Sequence, residues 1–468
     1  MRQESIHPPP SSRRPPGPRG LRFLRGLPDM LGNPLRFLRE VASEYGEVIS
    51  LGHGMRPFYL VVHPLGVKQV LQDNAARYKK SDLTTQKFKP FLGKGLVVSE
   101  GGLWRSQRRL MGPCFTRQKL ERLFPLMAQV TQEMLERWRE LAARGQPLDM
   151  GEEMKRLTLG IASRTMFSTD VSGDADLIGP AIRTAQHYVA RQMTSMTGLA
   201  NYLLLPQRAA FRQATDDINS VVLRIIRQRR QNPDDKGDLL SALLLAQDAQ
   251  TGQCMDDAQL LDEVKGILVA GFESTATVLT WAWYLLDQHP EARQRLEAEA
   301  REVLGGRAPT LDDLPRLVYT RAVFEEALRL YPPVWMTLRT PLEDDCIGGY
   351  RIPAGSVVLL SPYVTQRLPE LWPRPDDFEP ERFAPERSAE RSRFAYFPFG
   401  GGPRTCMGNG FALMEAQVIL AMVAARYRLA LVPGQRVEPL PLLTLQPRHP
   451  FQMRALPAAD STRGANAV

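Results

Sequence analysis

The chain has 468 residues, 43% of them hydrophobic and 24% charged, with four cysteines and a net charge of +9. This is the balance of an ordinary soluble globular protein. No stretch approaches the ~20 apolar residues needed to cross a bilayer, so no transmembrane anchor is expected. Cys114, Cys254, Cys346 and Cys406 form no CxxC pair and no secretory signal precedes them, which excludes a disulfide scaffold and points to a reducing compartment. The positive charge is mainly arginine, spread along the chain. It excludes a nucleic-acid tail and suits a basic face for an acidic protein partner.

Residues 1–20, rich in Pro, Ser and Arg, cannot bury a core and are expected to be a disordered tail. Residues 457–468 are expected to be a second one, leaving 21–456 as the folded domain. Leu35 to Glu44, after Pro34, reads as a short amphipathic helix. The runs Glu47–Leu51 and Phe58–Val62, joined through Gly52-His53-Gly54, read as a hairpin, and His63 before Pro64 as a turn residue. Ser81 to Glu100 has no clear period and is expected to be a long functional loop. Trp104 and Arg108 follow at i and i+4, on one face of a helix. Helical patterns run from Gln118 to Arg230, with breaks expected near Ser172-Gly173, Gly198 and Pro206. Asn232 to Gly237 is a polar linker.

The next helix spans Asp256 to Gln288 without a proline and stops at His289-Pro290. At ~1.5 Å per residue it is roughly 50 Å long. Inside it, Ala270-Gly271-Phe272-Glu273-Ser274-Thr275 puts glycine, a carboxylate and two hydroxyls where a buried helix has little local need of them. A small-residue helix crossing is one reading; a groove beside an acid and an alcohol that relay protons is the other. Glu326 and Arg329, at i and i+3 before Pro332-Pro333, make a pair that is common on helix surfaces. Arg382, in Phe378–Phe383, supplies a further arginine. Val334 to Leu338, Cys346 to Ile352, the Pro353–Gly355 turn and Val357 to Leu360 read as a small sheet, with Cys346 a packed strand residue. Leu429 to Gln446 gives short strands and a loop.

The stretch Phe397 to Gly408 is a tight loop of glycines and prolines that ends in Cys406 immediately before an apolar periodic run. Cys406 therefore sits at or just before a helix start, where the dipole favours a thiolate. Glycine runs also bind phosphate, but Pro403-Arg404-Thr405 lacks the Lys-Ser/Thr which that motif needs.

Phe399, Gly402, Arg404, Cys406 and Gly408 resemble the haem-thiolate signature of the cytochrome P-450 monooxygenases. Three further motifs resemble that family's in order, and the resemblance covers about Pro15 to Ala455. It implies a mainly α fold with a small β region, a single domain with haem between the long central helix and the cysteine loop. It implies Cys406 as axial ligand of a haem b iron, O2 as co-substrate, and electrons ultimately from NAD(P)H through a separate ferredoxin or flavodoxin-type donor. Trp104, Arg108, Arg339 and Arg404 would hold the propionates. Glu273 and Ser274 would deliver protons; serine stands where threonine is usual, with Thr275 as a stand-in. Glu326, Arg329 and Arg382 would form a buried structural cluster. The 81–100 loop, a mobile lid over 178–205, Ala270, Gly271, Val334, Thr337 and Leu442 would line the pocket for a hydrophobic small molecule. Gln366 stands where many relatives carry histidine, with no chemical consequence assigned. The Pro-rich start is similar to the hinge after the membrane anchor of microsomal members, without the anchor, so a cytoplasmic monomer is expected. A peroxide-using haem enzyme or a haem isomerase would not need Glu273 and Ser274. A basic binding protein would have to reproduce all four motifs by coincidence.

Overall fold

The computed structural model describes residues 13–52, 56–194, 205–232, 234–245 and 254–458. Helices α1 (Leu21–Gly32) and α2 (Pro34–Tyr45) meet at Asn33, whose side chain accepts the Arg36 N–H while Pro34 takes the first helical position. Residues 13–20 are not the disordered segment expected of them. Pro15 and Pro18 are buried, the Ser50 N–H donates to the Pro16 carbonyl at 2.7 Å, and the Arg351 N–H donates to Arg13. Proline lacks a donor but keeps its acceptor, so this segment can still dock on a strand. Residues 1–12 lie outside the described residues.

Strands β1 (Val48–Gly52) and β2 (Phe58–Val61) form the expected antiparallel pair; His53 and Gly54 between them lie outside the described residues. His63 caps the short α3 (Pro64–Lys68), its Nδ1 accepting the Leu65 N–H. After β3 (Tyr78–Lys80), helix α4 (Asp82–Leu92) occupies most of the stretch expected to be a loop. The Ser81 carbonyl accepts from Thr84 and Thr85 N–H, and Phe91 and Leu92 are buried in the last turn. Three turns with lysines and Pro90 show little period, so packing of the final turn decides the helix.

Helices α5 (Gly101–Met111), α6 (Arg117–Ala143), α7 (Met150–Phe167), α8 (Ala175–Thr194) and α9 (Leu205–Gln231) fill the expected helical region, with strand β4 (Leu148–Asp149) before α7. The break at Ser172–Asp174 is present as a 3₁₀ turn. Gly198, with the part of the expected lid between 195 and 204, lies outside the described residues. Near Pro206, where a break was expected, α9 begins at Leu205 with the proline in its first turn. Then come α10 (Leu239–Leu245) and the long α11 (Asp257–Gln288), where the Asp256 side chain accepts the Gln259 N–H at 2.7 Å. Helices α12 (Pro290–Leu304) and α13 (Val318–Leu330) follow. Next are β5 (Thr337–Pro341), β6 (Asp345–Ile347), β7 (Tyr350–Ile352), β8 (Val357–Leu360) and the single-turn helices α14 (Pro362–Thr365) and α15 (Pro385–Ser388). The chain ends with α16 (Asn409–Ala424), β9 (Tyr427–Leu431), β10 (Pro439–Pro441), β11 (Leu445–Pro447) and β12 (Gln452–Pro457). Pro457, expected to begin a tail, pairs with Tyr427.

The chain divides into two compact units: residues up to Gln86 with Val334–Asp376 and Arg391–Cys406, and the remainder. The first holds a five-stranded sheet in the order β1-β2-β8-β5-β3, parallel only between β2 and β8, and the hairpin β6–β7. Its core joins Val61, Val67, Leu71 and Leu360 to Phe394 and Phe397, the residues that lead into the cysteine loop. The second unit holds the helices from α5 to α13, α15 and α16, with the sheet β4-β12-β9 and the hairpin β10–β11. There α11 is buried along most of its length. Trp281 stacks on Tyr331 with ring centroids 3.9 Å apart, and its indole N–H donates to the Leu445 carbonyl at 2.7 Å.

Candidate active site

In the first unit, backbone contacts shape the cysteine loop. Gly400 and Gly402 have φ of 71° and 64°, conformations that glycine alone adopts without strain. A Cβ on Gly402 would lie 1.8 Å from the Leu71 carbonyl oxygen, so the loop lies directly on backbone there. The Cys406 N–H donates to the Phe399 carbonyl at 2.9 Å, and Arg404 ends the 3₁₀ turn Gly402–Arg404. The fully buried Gln366 accepts the Phe397 N–H at 3.1 Å. That gives Gln366 a role the sequence did not assign, as the anchor at the loop's entrance. Cys406 itself is exposed. Arg339, on β5, donates to the Thr337 hydroxyl at 2.8 Å; both are half-buried, and Val334 is exposed.

In the second unit, α11 presents different sides at successive residues, each turned ~100° from the last. Ala270 is exposed and Ser274 half-exposed, whereas Phe272, Glu273 and every residue from Thr275 to Trp283 is buried. The Ser274 hydroxyl donates back to the Ala270 carbonyl at 2.8 Å. Glu273, 3% exposed, accepts the Gln446 amide at 2.7 Å. Thr275 does not share the open side with Ser274: it is buried beside the wholly buried Glu415 of α16. Burial pushes the Glu415 carboxyl well above the usual range, and the Thr275 hydroxyl only partly opposes this. Thr275 is therefore no stand-in for Ser274. Gly271 faces α7, where an added Cβ would touch Ala162 and Met166 at 3.7–3.8 Å, so it sits at that helix crossing.

The charged cluster closes within the same unit. Glu326 and Arg329 are fully buried and Arg382 is 2% exposed. Arg329 grips Glu326 with Nε and Nη2, each at 2.7 Å, and Nη2 also donates to the Asp377 carbonyl at 2.9 Å. Glu326 accepts the Glu379 N–H at 2.9 Å, and Arg382 pairs with Glu379 at 3.0 Å and lies 3.4 Å from Glu326. Burial pulls the Arg382 guanidinium pKa down, against the pull of Glu326 and Glu379. Trp104 and Arg108 lie one turn apart on α5, both half-buried. Gly408 takes the N-cap position of α16, its carbonyl accepting the Ala412 N–H. Leu442 lies half-exposed at the tip of the β10–β11 hairpin.

Comparison with known proteins carries these parts to a class. The Cytochrome P450 family model matches residues 15–455. Cyclooctatin synthase of Streptomyces melanosporofaciens is 42% identical over 424 residues, covering 89% of this chain and 90% of that protein. Cyclooctat-9-en-7-ol 5-monooxygenase of the same organism is 37% identical and covers 86% of each. Pentalenene oxygenase of Streptomyces avermitilis is 32% identical over 91% of this chain and 93% of that protein. The chain belongs to the cytochrome P450 family, and its mainly helical fold with small sheets is that family's single-domain fold. It is a haem-thiolate monooxygenase that inserts one atom of O2 into a hydrophobic small molecule, with electrons from NAD(P)H through a separate redox partner.

The cysteine loop fits a haem. Gly401 and Gly402 press the loop onto Phe394 and Leu71, Gly400 has open space where a side chain would stand, and Cys406 is exposed on that fixed backbone, as a single axial ligand must be. Bound there with Cys406 as its thiolate ligand, haem would supply the chemistry that puts one atom of O2 into a C–H or C=C bond and releases the other as water, using two protons and two electrons from the redox partner.

Proposed function

We propose that the substrate is a cyclic terpenoid alkene or alkenol, bound against the open side of α11 at Ala270 and Ser274. The observation that carries this reading is that open side: exposed Ala270 and the half-exposed Ser274 hydroxyl, one turn apart and flanking the buried Phe272 and the buried acid Glu273. The names of the relatives, an alkene oxygenase and an alkenol monooxygenase, support the alkene and alcohol chemistry. In this reading Cys406 is the iron ligand and Glu273 and Ser274 hold and pass protons. Trp104, Arg108, Arg339 and Arg404 hold the propionates, while Phe399, Gly402 and Gly408 shape the loop. Val334, Thr337 and Leu442 add pocket wall. A panel of cyclic terpenoid alkenes and alcohols, steroids and polyketide-like lactones, scored by the ferric spin-state shift, tests the substrate class. Terpenoids are expected to shift the spectrum at the lowest concentrations. A response to steroids or lactones alone overturns it.

We also infer a cytoplasmic monomer reduced by a small acidic ferredoxin or flavodoxin. Among the described residues no helix is long and apolar enough to cross a membrane. Of the arginines that cluster in sequence near the cysteine loop, Arg382 is buried with Glu326, Arg387 pairs with Glu379 and Arg391 lies over the Trp372 ring. Arg105 and Arg109 on α5 and Arg393 are exposed. Opposite charges steer encounter most at low salt. The rate of electron delivery should therefore fall steeply toward physiological ionic strength, where the screening length is about 8 Å. Arg105→Glu should slow reduction at low salt and flatten that dependence. A rate indifferent to both changes removes α5 from the docking face.

A further inference from the structure

Glu273 is held by one side chain that the sequence left unremarked. Gln446, on β11, places its amide nitrogen 2.7 Å from Glu273 Oε1 and 2.9 Å from the Thr444 hydroxyl, and it also reaches Oε1 of Gln186 on α8. A primary amide has two hydrogens, so two donors are shared among three acceptors. Glu273 and Gln186 are each 3% exposed and draw on the amide, whereas the half-exposed Thr444 hydroxyl can turn to water. The backbone beside Gln446 is fixed. The Leu445 carbonyl accepts the Trp281 indole N–H of α11, and the Leu445 N–H donates to the Pro333 carbonyl at 3.0 Å.

We propose that Gln446 is the positioning residue for the acid: its amide sets the Glu273 carboxylate in place and ties it to α8 and to the β10–β11 hairpin. This rests on the reading of Glu273 as a proton carrier. Because Gln186 draws on the same two hydrogens, the placement of α8 governs how firmly Glu273 is held. Leu442, a pocket residue, lies on the same hairpin. Substrate pressing on that hairpin or on α8 would then shift hydrogen bonding from one acceptor to another, and so adjust the acid before a proton is needed.

The test has a structural and a kinetic readout on the full-length, haem-loaded protein. The infrared carboxylate band of Glu273 is first identified as the band lost in Glu273→Gln. In Gln446→Leu that band should shift, because a donor to the carboxylate is gone; an unmoved band overturns the proposal. Gln446→Asn, which keeps the amide but falls one methylene short, gives the same reading should the leucine variant fail to fold. Peroxide released per NADPH is then followed with the panel compound that shifts the spin state most. Glu273→Gln, Ser274→Ala and Gln446→Leu should each raise it, Gln446→Leu by about tenfold, the scale of one hydrogen bond to a charged group. The double variant Gln446→Leu/Glu273→Gln should release no more than Glu273→Gln alone, since Gln446 acts through Glu273. Additive effects would show that Gln446 acts elsewhere and overturn the proposal. If Glu273→Gln leaves peroxide release unchanged, the proton-carrier reading fails, while the infrared shift still reports whether Gln446 positions the carboxylate.

Discussion

Replacing Cys406 by serine should abolish both the thiolate-haem spectrum and the oxygenase activity, whatever haem stays bound. The substitution exchanges one atom, so its effect reads the ligand and little else. The contacts that shape the loop belong to backbone: the approach of Gly402 to Leu71, and the Cys406 N–H to the Phe399 carbonyl. Serine leaves both intact, and the fold should survive. A serine hydroxyl does not ionise at neutral pH as a cysteine thiol beside a helix start can, so the electron-donating sulfur is lost. Reduced protein under carbon monoxide should lose the red-shifted Soret band of a thiolate-ligated haem. An unchanged band in Cys406→Ser would remove Cys406 as the ligand and the present functional reading with it.

The second large effect is structural. Glu326→Ala should give misfolded or haem-free protein, and Arg329→Ala the same. Glu326 accepts two bonds from Arg329 and one from the Glu379 N–H, with Arg382 close by, and all three charged residues are buried. Removing the glutamate leaves two guanidinium groups facing each other without their shared anion. Breaking one member of such a buried network costs ~3–5 kcal/mol, against a total stability of roughly 5–15 kcal/mol for a typical domain. Exposed pairs of the same type contribute ~0–1 kcal/mol, so the size of the effect tells a buried lock from a surface bridge. Haem content and the unfolding midpoint measure it. A soluble, haem-replete Glu326→Ala protein of ordinary stability would show that the cluster is dispensable.

The sequence alone carried much of the site because several of its signals are local. A helix from Asp256 to Gln288, a proline stop and a glycine loop ending at Cys406 are all set by neighbouring residues. Helix α4 escaped that reading because its period is short and lysine-rich, and burial of Phe91 and Leu92 decides it. The segment 13–20 escaped because composition predicts disorder, while a proline carbonyl met a strand N–H from far along the chain.

The acid and the alcohol draw the line most sharply. From sequence, Glu273, Ser274 and Thr275 are three consecutive polar residues on one helix, and either hydroxyl could serve. Which one faces open space depends on what α11 packs against. Thr275 is buried beside Glu415, Gly271 meets α7, and Ser274 keeps the open side. Gln446 and Gln366 carry no motif, because one amide bond to a distant partner leaves no periodic trace in a sequence. Residue chemistry and local spacing thus pointed to the family, the candidate ligand and the candidate acid. Only tertiary packing decided which hydroxyl is accessible and which amide holds the acid, since a side chain's neighbours across the fold are set by contacts between elements far apart in the chain.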